Sequence, residues 1–147
     1  MRYLLTILLL TSSIFATALK VDNSLVHKKL SNSLEYYILK HNNPTKALNL
    51  TLYVKVGSQD ENSNQLGYAH ISEHMVFEGS KNLPSKKLDK FLKSIGQTIG
   101  DDVNAFTKDT NTCYKLNLPT NETTTVKQAF FAIIFVNLIA LSKGNIK

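Results

Sequence analysis

Residues 47–56 read ALNLTLYVKV and alternate strictly between apolar and polar side chains. The apolar positions are Leu48, Leu50, Leu52, Val54 and Val56, and the polar positions are Asn49, Thr51, Tyr53 and Lys55. A period of two residues is typical of a β-strand that packs one face on a core. We therefore predict a strand here, with the leucine-rich face buried.

The rest of the chain alternates between strand-like and helix-like segments. Further strands are predicted at residues 24–30, 34–40, 103–106 and 112–118, and helices at residues 68–77, 86–95 and 125–141. Ser85 is the predicted N-cap of the second helix. This order predicts an α+β fold in which helices pack on one face of a mostly antiparallel sheet. The 13-residue apolar run in the last helix falls short of the roughly 20 residues that a membrane span needs, which favours core burial.

The N-terminus has the features of a secretory signal peptide. Arg2 supplies a positive start, an apolar stretch follows, and Ala16-Thr17-Ala18 matches the small-residue form of a cleavage site. We predict cleavage after Ala18, with an uncleaved N-terminal anchor as the alternative. Residues 19–147 would then form one domain that works in the periplasm or outside the cell.

Composition excludes several classes of protein. The chain has 147 residues, of which 43% are hydrophobic, so neither wholesale disorder nor a second large domain is expected. Its single cysteine, Cys113, rules out an internal disulfide and a cysteine-based zinc module, and we expect a small buried residue there. The net charge of +6 comes mostly from scattered lysines, and no arginine follows Arg2, which disfavours nucleic-acid binding.

One motif, His70-Ile71-Ser72-Glu73-His74, can carry chemistry. On a helix, residues four apart lie on nearly the same face, so His70 and His74 can offer two imidazoles to one metal ion. Glu73 lies close enough to accept a proton from a water molecule at that ion. The pattern H-x-x-E-H is the inverzincin signature, although the bare motif also fits two idle surface histidines.

The surrounding residues resemble a known family. The stretch GYAHISEHMVFEGS, residues 67–80, is similar to the active-site helix of the pitrilysin/insulinase zinc peptidases. Residues 30–34 (LSNSL), 54–58 (VKVGS) and 104–107 (NAFT) resemble that family's first hairpin, the strand before its active-site helix and the strand beside its cleft.

The resemblance implies a zinc metalloendopeptidase with part of a LuxS/peptidase-like fold. His70 and His74 would bind zinc, and Glu73 would be the general base. The segment Asn104, Ala105, Phe106 and Thr107 would form a sheet edge that binds an extended peptide substrate. A turn-forming role for Asn104 remains open, and Asp101 and Asp102 are expected to be solvated loop residues rather than acids of the cleft.

The sequence departs from the family in one respect. A catalytic zinc site uses three protein ligands, and the family's third ligand is a Glu roughly 70–80 residues beyond the second His. That position falls at or beyond Lys147, so we expect an N-terminal peptidase domain that is incomplete at its C-terminal end and has little activity alone. A complementary peptidase domain or subunit is an expected partner. The alternatives are a non-catalytic peptide-binding module of a larger peptidase assembly and a non-functional remnant.

Overall fold

A computed structural model describes residues 21–41, 44–80 and 82–143, with side-chain surroundings given as far as residue 134. The chain divides into two compact units, Met1–Asn42 and Asn43–Lys147. The predicted signal peptide, residues 1–18, lies outside the described residues.

The first unit contains a β-hairpin. Strands β1 (Val26–Lys29) and β2 (Glu35–Ile38) pair antiparallel, with Val26 opposite Ile38. Ser33 adopts a left-handed conformation with φ of 68° in the turn between them. The predicted hairpin is therefore confirmed, with strands shorter than the sequence pattern indicated.

The second unit is an α+β arrangement around a three-stranded sheet. Its elements are β3 (Leu48–Val54), a 3₁₀ turn (Ser58–Asp60), α1 (Tyr68–Phe77), α2 (Ser85–Ser94), β4 (Val103–Thr107), β5 (Thr112–Leu118) and α3 (Thr123–Lys143). The strands are antiparallel in the order β3-β5-β4. Strand β5 is thus central, and β4 is an edge strand in the described part of the chain.

The core lies between the sheet and the helices. Val76 of α1, Leu92 of α2 and Ala129 of α3 are buried together with Leu116 and Leu118 of β5. Helix α1 packs against β4 and α3, and α3 packs against β5. The predicted α+β fold, with helices on one face of an antiparallel sheet, is confirmed.

Two local predictions need correction. Ser85 is the first residue of α2 rather than its N-cap; Pro84 occupies the cap position, without a side-chain hydrogen bond. Val56 lies beyond the end of β3 and is 44% exposed. The leucines of β3 are only half-buried, and in the described part of the chain β3 is the second edge strand of the sheet.

Helix α3 agrees only in part with the prediction of core burial. Ala129 and Ala132 are buried, but Phe130, Phe131 and Ile134 of the same apolar run are 42–47% exposed, and the rest of the run lies outside the described side chains. Among the described residues, no helix is both long enough and apolar enough to cross a membrane.

Candidate active site

The H-x-x-E-H motif lies on α1, which begins at Tyr68 as predicted. The helix has no capping side chain at Gly67, whose φ is 86°. Its first turn is instead bound by Glu61, whose two carboxylate oxygens accept hydrogen bonds from the backbone N–H groups of Gly67 and Ala69, both at 2.7 Å. A carboxylate at a helix N-terminus satisfies otherwise unpaired donors and interacts favourably with the helix dipole.

The two histidines of the motif face each other. The Nε2 atoms of His70 and His74 are 3.1 Å apart, and both residues are exposed. Two nitrogen ligands at about 2.0–2.1 Å from a tetrahedral zinc ion lie roughly 3.3 Å apart. The pair therefore fits one transition-metal ion with little movement.

The Glu73 side chain faces the sheet, where it contacts strand β4. Its side chain is buried, with 6% of the residue exposed, and its Oε2 accepts a hydrogen bond of 2.5 Å from the Thr107 hydroxyl. Among the described residues, its Oε1 has no hydrogen-bond partner. The carboxylate thus contacts the polar end of β4, and the two exposed histidines lie on the same helix, three residues before it and one residue after it.

A phenol lies in the same buried region. Tyr114 of β5 is 4% exposed, and burial, followed by the negative charge of Glu73, raises the pKa of the Tyr114 phenol to about 12. The phenol therefore stays neutral throughout the physiological range of pH.

The predicted substrate edge lies beside the motif. Asn104 belongs to β4, so its alternative role in a turn is wrong. In the β4–β5 register, Ala105 and Thr107 are opposite Tyr114 and Thr112, and their backbone groups face away from β5. The Ala105 N–H donates to the side-chain oxygen of Asn104 at 2.8 Å.

Phe106 lies on the opposite face of β4 from the motif. Its ring has two cations over it: the Nζ atoms of Lys108 and Lys115 are 5.3 and 5.2 Å from the ring centroid.

Asp101, Asp102 and Cys113 lie in the loop and core positions that the sequence predicts. Asp102 accepts hydrogen bonds from the backbone and hydroxyl of Thr98, and Asp101 is exposed. Cys113 is a free, buried thiol, as expected. His27, a histidine outside the motif, is on the hairpin, where its Nε2 is 3.2 Å from a Glu35 carboxylate oxygen and its ring stacks on Tyr37.

The sequence assigned no role in the site to three supporting residues. They are Glu61, which binds the first turn of α1, and Thr112 and Tyr114 of β5. An acidic residue before a helix is a recognisable signal, but a loop separates Glu61 from α1, and the sequence does not show that the loop returns to it. No group of three His, Cys, Asp or Glu that could hold a metal ion occurs within the described residues.

Comparisons with known proteins agree with the motifs. The profile of the family described as Insulinase (Peptidase family M16) matches residues 36–143. The probable zinc protease PqqL of Escherichia coli (strain K12) is 40% identical over 129 residues, which are 86% of this chain and 14% of that protein. A zinc protease PQQL-like protein of Arabidopsis thaliana is 35% identical over 120 residues, 81% of this chain and 13% of that protein.

A solved structure shares the fold. The crystal structure of the periplasmic protease PqqL from Escherichia coli matches with a TM-score of 0.76 and 36% identity, over 82% of this chain and 13% of that one. The chain therefore spans only a small part of the length of its relatives. Since the family profile covers most of the chain and the relatives support it, the chain belongs to the insulinase family of peptidases, family M16.

Proposed function

We propose that this chain carries the metal-binding helix and the substrate-binding edge of a zinc metalloendopeptidase. The observation that carries the proposal is the pair of His70 and His74 nitrogens 3.1 Å apart, with the Glu73 carboxylate on the same helix. The names of the relatives, which are zinc proteases, support the choice of metal.

In this proposal His70 and His74 hold the zinc ion through their Nε2 atoms. When bound, zinc polarises the scissile carbonyl and makes water a better nucleophile at neutral pH. Glu73 accepts the proton of the attacking water at Oε1, the carboxylate oxygen that Thr107 leaves free, and then donates it to the leaving amine.

The substrate is proposed to bind as an added strand along β4. The backbone groups of Ala105 and Thr107 face away from β5, so an extended peptide can pair with them. The Asn104 side chain now occupies the Ala105 N–H and would be displaced, which makes Asn104 part of the substrate-binding segment. Phe106 and the two lysines beside its ring would lie next to substrate side chains on the far face of the sheet.

A third zinc ligand is proposed to come from residues outside the described part of the chain. A catalytic site uses three protein ligands, and no third His, Cys, Asp or Glu joins the histidines within the described residues. We accordingly expect residues 1–147 alone to bind zinc weakly and to have little or no peptidase activity.

Export is proposed from the N-terminal pattern. Residues 1–18 have the charge, apolar run and Ala16-Thr17-Ala18 end of a signal peptide. One solved relative is named a periplasmic protease, which supports a periplasmic or extracellular site of action.

The test compares zinc content and cleavage of an unstructured peptide for residues 1–147 and for the complete polypeptide that contains them. We expect chelator-sensitive cleavage only in the complete polypeptide. His70→Ala and His74→Ala should lose zinc, whereas Glu73→Gln should keep zinc and lose turnover. Exposed Glu78, which follows α1, provides the matched control Glu78→Gln. Tight one-to-one zinc and cleavage by residues 1–147 alone would overturn the proposed missing ligand.

A non-catalytic peptide-binding subunit is the second candidate, because the edge of β4 can bind a peptide without zinc. The Glu73→Gln variant discriminates the two functions. Loss of turnover with unchanged peptide binding supports the peptidase, and a complete polypeptide that binds peptide but never cleaves it supports the binding subunit.

A further inference from the structure

The end of β4 contacts the motif helix through one side chain. The Thr107 hydroxyl donates to Glu73 Oε2 at 2.5 Å, although the two residues are 34 positions apart in the sequence. This length is at the short end of the range for O–H···O hydrogen bonds. The acceptor residue is also buried, since only 6% of the surface of Glu73 is exposed to solvent.

The position of Thr107 is itself supported by the central strand. Thr112 of β5 is directly opposite Thr107 in the register, and their hydroxyl oxygens are 3.5 Å apart. Thr112 is buried, with 5% exposed, and its hydroxyl donates to the Val56 carbonyl at 3.0 Å. Because threonine is restricted at χ1, this arrangement limits where the Thr107 hydroxyl can point.

Within the described residues, the hydrogen bond from Thr107 is the only one that the Glu73 side chain makes. A carboxylate on a two-carbon stem has several rotamers, and the Thr107 hydrogen bond selects one in which Oε2 faces the sheet and Oε1 is left available. Valine in place of Thr107 would fill the same space, but it has no hydroxyl and could not select this rotamer of Glu73.

We infer that Thr107 is a positioning residue: its hydroxyl orients the Glu73 carboxylate for proton transfer. Thr107 belongs to β4, the strand that is otherwise assigned to peptide binding. The inference rests on the proposed peptidase function. It separates two roles within β4: the backbone of the strand pairs with substrate, and the Thr107 side chain acts on Glu73.

The experiment uses the complete polypeptide that contains these residues, loaded with zinc. Thr107→Val removes the hydroxyl and keeps the branched shape, and Thr107→Ser keeps the hydroxyl. Thr51→Val is the matched control, because Thr51 is exposed on β3. The measurements are kcat, KM, zinc content and a crystal structure of each variant.

Thr107→Val should lower kcat by about 10–100-fold, the usual loss when a partner of an active-site group is removed. KM and zinc content should change little, and the Glu73 carboxylate should leave its position in the crystal. Thr107→Ser should restore most of kcat and the Glu73 rotamer, and Thr51→Val should match the unmodified protein.

Equal kcat in Thr107→Val and the unmodified protein would overturn the inference, as would equal losses in the Val and Ser variants or loss of zinc together with kcat. If the unmodified polypeptide does not cleave peptides at all, the proposed function fails, and the crystal structures still decide the inference. A Glu73 carboxylate that keeps its place in Thr107→Val would then refute it.

Discussion

The buried phenol of Tyr114 predicts a specific loss of stability at alkaline pH. Burial, helped by the Glu73 charge, raises the pKa of Tyr114 to about 12, against about 10 for tyrosine in an unfolded chain. Since the folded state favours the neutral phenol, Tyr114 contributes stability below about pH 10. That contribution is lost as the pH rises from about 10 through about 12.

The magnitude follows from the difference between the two pKa values. Two pKa units correspond to about 2.7 kcal/mol, since each unit is worth about 1.4 kcal/mol. Although Tyr114 is only 4% exposed, the desolvation that raises its pKa is partial, so solvent screening reduces this figure to about 1–2 kcal/mol. Most of this contribution should be lost by about pH 12.

The perturbation is Tyr114→Phe, which keeps the ring and removes the ionisable group. Urea unfolding, followed by circular dichroism across pH 9 to 12 (about the range in which phenols ionise), gives the free energy of unfolding of both proteins. The free energy of unfolding of the unmodified protein should fall relative to that of the Phe variant by about 1–2 kcal/mol over this range. Glu73→Gln, by removing the second cause of the shift, should lower the pKa of Tyr114 and make the fall smaller.

Ultraviolet difference spectroscopy provides an independent readout. The chain has six tyrosines, and one of them should ionise only near about pH 12 in the folded protein and should be missing from Tyr114→Phe. Parallel stability curves for the two proteins, or a phenol of Tyr114 that ionises near about pH 10 while the fold is intact, would refute the reasoning.

The remaining predictions concern stability, measured by thermal and urea unfolding. Glu61→Ala removes the carboxylate that binds the first turn of α1, and we expect a loss of about 1–2 kcal/mol; an unchanged stability would show that water replaces the cap. Gly57→Ala would bring a Cβ against the backbone carbonyl of Lys108, so we expect a loss of about 1–3 kcal/mol, and a neutral result would contradict this close approach. Leu118→Ala in the core, at 1% exposure, should cost about 2–5 kcal/mol, whereas Leu66→Ala, at 75% exposure, should change stability by less than about 0.5 kcal/mol; equal effects would contradict the assignment of the core.

The sequence predicts the elements of the second unit well because their signals are local. Strand β5 and helix α1 have the predicted bounds, and β3 is shorter than predicted by one residue at its start and two at its end. Each of these elements has a periodic pattern of apolar residues with turn residues at its ends, so neighbouring residues are sufficient to define it. The prediction that Ser85 is the N-cap of α2 was wrong, because Pro84, the residue before it, occupies that position and Ser85 is the first residue of the helix.

The sheet order and the support of the site are not local and could not be predicted in this way. No pattern in the residues says that β5 lies between β3 and β4, and that placement is what brings Thr112 and Tyr114 under the motif helix. The contact between Thr107 and Glu73 depends on the same pairing, as does the burial of the carboxylate. The facing histidines, by contrast, follow directly from their spacing of four residues on a helix.

The helical spacing also explains why the three motif residues have different surroundings. At about 100° per residue, Glu73 lies about 60° from Val76 on one side and about 60° from His70 on the other. Val76 is in the core at 1% exposure, and both histidines are exposed, so Glu73 lies where the helix surface passes from core to solvent. A carboxylate at that boundary can reach a hydroxyl of the sheet with one oxygen and the histidine side with the other. Moving the carboxylate by one position in either direction would turn it about 100° away from this boundary. The order of the residues in the motif therefore determines whether the carboxylate can contact β4, on which α1 packs.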